Sequence, residues 1–207
     1  MGNAPTDVPA ALAGLSDQPR VRDFLARAVV EGRLSHAYLF VGAPGSGKHE
    51  AAEALAKCIV CPNGGDSSCD ECRRVAHKTH PDVHWYAPAS AVGYLADQVR
   101  EVIADAQLAP MRAPSKVYVL ERAELLRSTA ANALLKTLEE PPAGVTFILC
   151  GRTVASLLPT IVSRCQVVPF SSVPPEVALA RVQREAVATP QEAVIALSVA
   201  GSASHAV

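Results

Sequence analysis

The chain is poor in aromatic side chains, which make up 4 % of its 207 residues. A surface that stacks on exposed bases needs several such rings, so this composition argues against a single-strand binding platform. It also lacks an excess of either charge, with 19 basic against 20 acidic residues. A protein that holds DNA alone by its phosphates carries a basic surplus, so any nucleic-acid contact here is local or shared with partners. No apolar run approaches the ~20 residues of a membrane span. Met1 to Pro9 has neither a basic start nor an apolar centre, so it does not read as a secretory leader. The expectation is a cytoplasmic chain without membrane contact, opening on a flexible arm over residues 1–14.

What the chain has is apolar bulk: 49 % of it is hydrophobic, enough for one sizeable core and the start of a second unit. Short apolar runs, HAYLFV (36–41), KVYVL (116–120), VTFILC (145–150) and QVVPF (166–170), read as buried strands, with a further one at 82–86. Helical spacing fills the intervals at 18–32, 48–60, 95–108 and 128–140, the last stopped by Pro141-Pro142. Strands alternating with helices predict an α/β fold on a parallel sheet. Past Pro174-Pro175 the strands cease, and 176–187 and 190–200 read as two helices. This divides the chain into a domain at 15–172 and a partial helical unit at 173–207.

One loop carries chemistry. Gly42-Ala43-Pro44-Gly45-Ser46-Gly47-Lys48 follows a strand and opens a helix, the context of a phosphate-binding loop. Gly42, Gly45 and Gly47 let backbone N–H groups converge with that of Ser46 on phosphate oxygens, and Lys48 would neutralise the outer phosphates. The following residue should carry a hydroxyl for Mg²⁺ but is His49, and a neutral imidazole suits that hard ion poorly. After the KVYVL run come Glu121 and Arg122. Glu121 could still hold a metal. Arg122 occupies the place of the acid that orients water, and a guanidinium cannot accept a proton. Nucleotide binding is left open, while hydrolysis is not expected.

Six cysteines are present, four of them between 58 and 72. Cys58-x₂-Cys61-x₇-Cys69-x₂-Cys72 can close a tetrahedron of thiolates around Zn²⁺. A closed shell of that kind leaves no position for chemistry, so such a site is structural. Cys150 and Cys165 read as ordinary buried thiols.

Taken together, Ser35-His36-Ala37-Tyr38-Leu39-Phe40, Thr79-His80-Pro81-Asp82-Val83, Asn132-Ala133-Leu134-Leu135-Lys136-Thr137-Leu138-Glu139-Glu140-Pro141-Pro142 and Ser163-Arg164-Cys165 resemble the bacterial clamp-loader subunits of DNA polymerase III, members of the AAA+ class. The resemblance runs from about Leu15 to Cys165. It implies a five-stranded parallel AAA+ core with a zinc-binding insertion at 58–72, the start of a small helical lid, and a further C-terminal oligomerisation domain. The family includes hydrolysing members (gamma/tau) and a non-hydrolysing one (delta prime). His49 and Arg122 align this chain with the second kind, as does Gly151-Arg152, where the hydrolysing members carry threonines. The implied role is a scaffold in sliding-clamp loading during DNA replication, with Arg164 acting in trans as an arginine finger for a neighbour's ATP site. Implied partners are gamma/tau and delta subunits and, indirectly, the clamp and primer-template DNA; the alternative is an active gamma/tau-type ATPase. The family's zinc module also departs here: Asp66 stands where a third cysteine is usual, so either Cys58 or Asp66 completes the site, with His77 and His80 as further candidates. Glu139 and Glu140 sit where a helix dipole disfavours acids, which suggests contact with a neighbour.

Overall fold

The computed structural model describes residues 7–90 and 92–172. The helices expected over 176–187 and 190–200, and with them the lid, lie outside the described residues. In chain order the elements are α1 (Ala10–Ala13), α2 (Pro19–Val30), β1 (Ala37–Val41), α3 (Lys48–Val60), α4 (Asp70–Ala76), β2 (Val83–Tyr86), α5 (Ala96–Ala106), β3 (Lys116–Leu120), α6 (Ser128–Glu139), β4 (Val145–Gly151), α7 (Pro159–Val162) and β5 (Gln166–Pro169).

The five strands form one sheet in the order β2-β3-β4-β1-β5, and every neighbouring pair is parallel. Helices cover both faces, so the central strands β1, β3 and β4 are buried along their whole length. Period-two alternation divides them between two cores. Tyr38, Phe40, Val117, Val119 and Ile148 pack with α2 and α3. Leu39, Tyr118, Leu120, Phe147 and Leu149 pack with α5 and α6 on the opposite face. The outer strands are only partly buried, and Pro169 falls on one of them, β5, where a missing N–H is tolerated. The result is the five-stranded α/β architecture expected from the sequence.

Two regions differ from expectation. Residues 10–13 are not part of a loose arm. They form a helical turn whose Leu12 is fully buried, and the Ala11 N–H donates to the Gly65 carbonyl at 2.9 Å. Leu12 and Leu15 insert into the core beside α3, and that burial holds the segment down. Between α3 and β2, outside the helical intervals read from the sequence, lies the further helix α4. Its N-cap is Cys69, whose sulfur accepts from the Cys72 N–H at 3.4 Å. Acids in the first turn (Asp70, Glu71) and arginines in the last (Arg73, Arg74) complement the helix dipole.

Asp82 fixes the entry to the sheet. Its buried carboxylate accepts from the N–H groups of Met111, Arg112 and Ala113 at 2.6, 2.7 and 2.8 Å. The Asp82 N–H in turn donates to Nδ1 of His80 at 3.0 Å. That leaves Nε2 as the protonated nitrogen of a neutral ring, and it lies 3.0 Å from Glu71 of α4. Arg112 reaches the same Glu71 at 2.6 Å. The His-Pro-Asp turn thereby joins the cysteine module to β2 and the loop before β3.

Candidate functional site

The phosphate loop connects β1 to α3, as its residues predict. Gly47 caps α3 in the left-handed region at φ 88°, a conformation that favours glycine. A Cβ on Gly42 would meet Ser46 Oγ at 2.7 Å and Phe170 Cβ at 2.8 Å, so the loop lies directly against the end of β5. Lys48 turns its ammonium back into this loop. Nζ donates to the Gly42 and Ala43 carbonyls, both at 2.7 Å, and to Ser46 Oγ at 3.2 Å. Burial holds the Lys48 pKa below the ordinary lysine value.

Gln18, missed in the sequence, is a buried amide that closes the other side of the loop. Its Nε2 donates to the Ser46 carbonyl at 3.0 Å and the Ser171 carbonyl at 2.7 Å, while its Oε1 accepts from the Ser171 N–H at 3.1 Å. A lone Gln before a helix gives no signal in sequence; its role arises from contacts 28 and 153 residues away.

Beside the loop, two of the residues that depart from a hydrolytic pattern, His49 and Arg152, each lie against an acid. Nδ1 of His49 lies 3.5 Å from Glu121, and its ring stacks on Trp85 of β2 at 6.5 Å. The imidazole thus lies against the acid that directly follows β3. Arg122 is exposed and left-handed at φ 49°. Arg152 lies 3.4 Å from Glu124, and the Gly151 carbonyl accepts from the Gly42 N–H at 3.2 Å. The residues singled out at the loop, the end of β3 and the end of β4 therefore do converge on one site.

Arg164 lies elsewhere, two residues past the end of α7. Its Nε donates to Glu139 at 2.8 Å and a terminal nitrogen contacts the same carboxylate. The other terminal nitrogen donates to the Thr160 carbonyl at 2.8 Å and Ser163 Oγ at 3.1 Å. Glu139, expected to await a neighbour, has its partner within this chain.

Among the described residues, the cluster of potential metal ligands comprises Cys61, Asp66, Cys69 and Cys72, with ligand atoms all within 4.8 Å of one another. Cys58 is not in it. Both Cys58 and Cys61 belong to the end of α3, but Cys58 lies within the helix and points into the core, where burial pushes its thiol up to about 12. Cys61 is the extended C-cap, so its sulfur turns outward, 3.4 Å from that of Cys69. Burial raises the Cys61 pKa, but N–H groups of Asp66, Gly65 and Asn63 and the Cys69 thiol bring it below the usual thiol value. Asp66 is held well below the carboxylate range by the Asn63 amide and the Cys69 N–H. Sulfurs bound at about 2.3 Å to a tetrahedral zinc would be about 3.8 Å apart, so three thiolates and a carboxylate in this span fit that ion. Of the four cysteines named from the sequence, three converge and Asp66 takes the fourth place; His80 serves the turn described above.

The model of a family described as DNA polymerase III, delta subunit, matches residues 17–174. The chain belongs to this family. Curated relatives include the DNA polymerase III subunit delta' of Bacillus subtilis, 37 % identical over 77 % of this chain and 49 % of the relative. The delta' subunit of Haemophilus influenzae is 36 % identical over 84 % of this chain and 54 % of the relative. The tau subunit of Escherichia coli is 37 % identical over 76 % of this chain and 25 % of the relative. The chain thus spans about half the length of these delta' relatives. Among solved structures, a DNA polymerase III gamma subunit-related protein from Thermotoga maritima superposes with a TM-score of 0.58 at 25 % identity, covering 76 % of this chain and 48 % of that one. The RuvB branch-migration motor of the same organism gives a TM-score of 0.57 at 17 % identity over 96 % of this chain and 62 % of that one, a likeness of fold. His49, Glu121, Gly151 and Arg152 lie around the phosphate loop and the ends of β3 and β4. No helix among the described residues is long and apolar enough to cross a membrane.

Proposed function

We propose that this chain is a non-hydrolysing clamp-loader subunit of the delta-prime kind. It supports the loader as a rigid α/β scaffold and supplies Arg164 to the ATP site of an adjacent gamma/tau subunit. The observation that carries this reading is the His49–Glu121 contact. The position that should offer Mg²⁺ a hydroxyl holds an imidazole, and that imidazole lies against Glu121, the acid that directly follows β3. Arg122 beside it cannot orient a water for attack. The delta subunit, the sliding clamp and primer-template DNA are the wider partners of this reading, and the near-neutral charge favours contact with DNA through the assembly.

Arg164 would act from outside its own site. A fixed guanidinium stabilises the charge that spreads over a transferring phosphoryl group, an effect reaching roughly 10³–10⁵ in the best cases. Cys61, Asp66, Cys69 and Cys72 would hold a structural zinc, whose chemistry there is to cross-link the loop between α3 and α4.

Similarity to tau subunits at the same 37 % identity favours a second reading, an active ATPase. The test is reconstitution of the full-length protein with its cognate gamma/tau and delta subunits. The isolated protein is expected to show no Mg-ATP turnover. The assembled loader is expected to lose most of its clamp- and DNA-stimulated ATPase, roughly tenfold, when Arg164→Ala replaces wild type. Turnover by the isolated protein would establish the second reading; stimulation untouched by Arg164→Ala would remove the finger.

A further inference from the structure

The geometry points to Glu139 as the positioning residue of Arg164. An arginine has five N–H groups. Four hydrogen bonds occupy Arg164 in this chain: two to Glu139, one to the Thr160 carbonyl and one to Ser163 Oγ. The residue remains partly exposed, with 29 % of its side chain accessible. An arginine serving only solubility has no need of three separate acceptors, and a single exposed ion pair contributes only ~0–1 kcal/mol. Here Thr160 and Ser163 hold one edge of the guanidinium from α7 and its cap, and Glu139 holds the other from the end of α6. The plane of the group is therefore fixed, with one N–H left to point away from the chain.

The placement of Glu139 supports the same conclusion. It is the last residue of α6, where the helix dipole disfavours an acid. The contact to Arg164 spans 25 residues of sequence and ties the end of α6 to the chain just past α7. A group fixed before the neighbour arrives loses less freedom when it meets a phosphate oxygen, which is the advantage of pre-organisation in catalysis. Removing Glu139 leaves the charge of Arg164 in place but frees its orientation. The expected consequence is a slower chemical step with unchanged nucleotide affinity next door.

This inference rests on the finger reading above, and the experiment separates the two. The full-length protein carrying Glu139→Ala, Glu139→Gln, Arg164→Ala or the Glu139→Ala/Arg164→Ala pair is assembled with its cognate subunits, and stimulated ATP hydrolysis is measured. Glu139→Ala is expected to lower kcat roughly tenfold, the scale of a small misplacement at a reacting group, with KM for ATP unchanged. Glu139→Gln, which keeps an acceptor oxygen, is expected to recover much of that loss. In the pair, Glu139→Ala is expected to add nothing to Arg164→Ala, since it acts only through that side chain. Thermal unfolding of the free variants checks that they remain folded. If Arg164→Ala lowers kcat but Glu139→Ala leaves it unchanged or raises it, the positioning role is overturned while the finger stands. If Arg164→Ala itself has no effect, the underlying reading fails, and positioning with it.

Discussion

Asp82→Ala is expected to destabilise the folded chain by on the order of 3–5 kcal/mol, measured by denaturant unfolding. Three backbone N–H groups of the 111–113 loop end on this one buried carboxylate. The donors are part-buried, so each one left without an acceptor falls toward the low end of about 1–3 kcal/mol, and alanine returns no partner to any of them. Asp82→Asn should cost less, because one amide oxygen can still accept. The same carboxylate makes stability depend on pH. Burial raises its pKa, but the three N–H donors outweigh burial, and His80 adds to them, so the folded value lies below the ordinary one. A depressed carboxyl pKa gives stability that is fully present above the unfolded value, about 3.9, and is lost as pH falls through the folded value. The other groups at this site act with the same sign, but His80 begins to lose its contribution at a higher pH, as pH falls below its unfolded value of about 6.5. Glu71 is also depressed, chiefly by its hydrogen bond from Arg112, and His80 is buried with a lowered pKa. Wild type should therefore lose stability steeply below about pH 4, and Asp82→Ala should flatten that limb. An acid limb unchanged by the substitution would contradict this account.

The sheet was legible in the sequence because its strands are short apolar runs bounded by turn residues. The expected KVYVL strand coincides with β3, and the helix opening at Lys48 ends at Val60 as read. Elements failed to show where a different residue did a familiar job. Helix α4 begins on a cysteine, and capping by sulfur is absent from the usual Ser, Thr, Asp and Asn signals. The turn at α1 is held by Leu12 and Leu15, two apolar residues too few to make a periodic pattern. The phosphate loop and its departures were all visible, since each is a change of residue type at a fixed spacing. The partners of those residues were not. Glu139 meets Arg164 and Gln18 meets Ser171 only because the sheet order places β5 beside β1, which no local pattern contains. The cysteines show the limit most directly. Spacing of three puts Cys58 and Cys61 on one helical face only while the helix continues, and α3 stops at Val60, between the two.

That stop decides the expected result of removing metal. The loop between α3 and α4 has little apolar content of its own, and Cys61, Asp66, Cys69 and Cys72 gather across it. Structural zinc contributes about 10–16 kcal/mol to finger-type modules that fold only with it. Here α4 is also tied to the core through Glu71, His80 and Arg112, so only part of that is at stake. A third of it is roughly 4 kcal/mol, equivalent to a fall of about 10 °C in Tm for a domain of this size. The purified protein is expected to carry one zinc per chain, and chelation should produce that fall. Cys72→Ala and Cys61→Ala should lose the metal, whereas Cys58→Ala should keep it, because its sulfur faces Gly65 and the core. Asp66 needs separate treatment, since its carboxylate also accepts from the N–H groups of Ser68 and Cys69, both at 3.1 Å. Asp66→Asn keeps an oxygen for those hydrogen bonds but removes the charged ligand, so it isolates the metal contribution. Cobalt in place of zinc counts the thiolates, because its charge-transfer band grows with each sulfur bound. Three thiolates in wild type and in Cys58→Ala, and four in Asp66→Cys, is the expected pattern. A four-thiolate spectrum in wild type that Cys58→Ala reduces to three would return Cys58 to the site and leave Asp66 only the loop to hold.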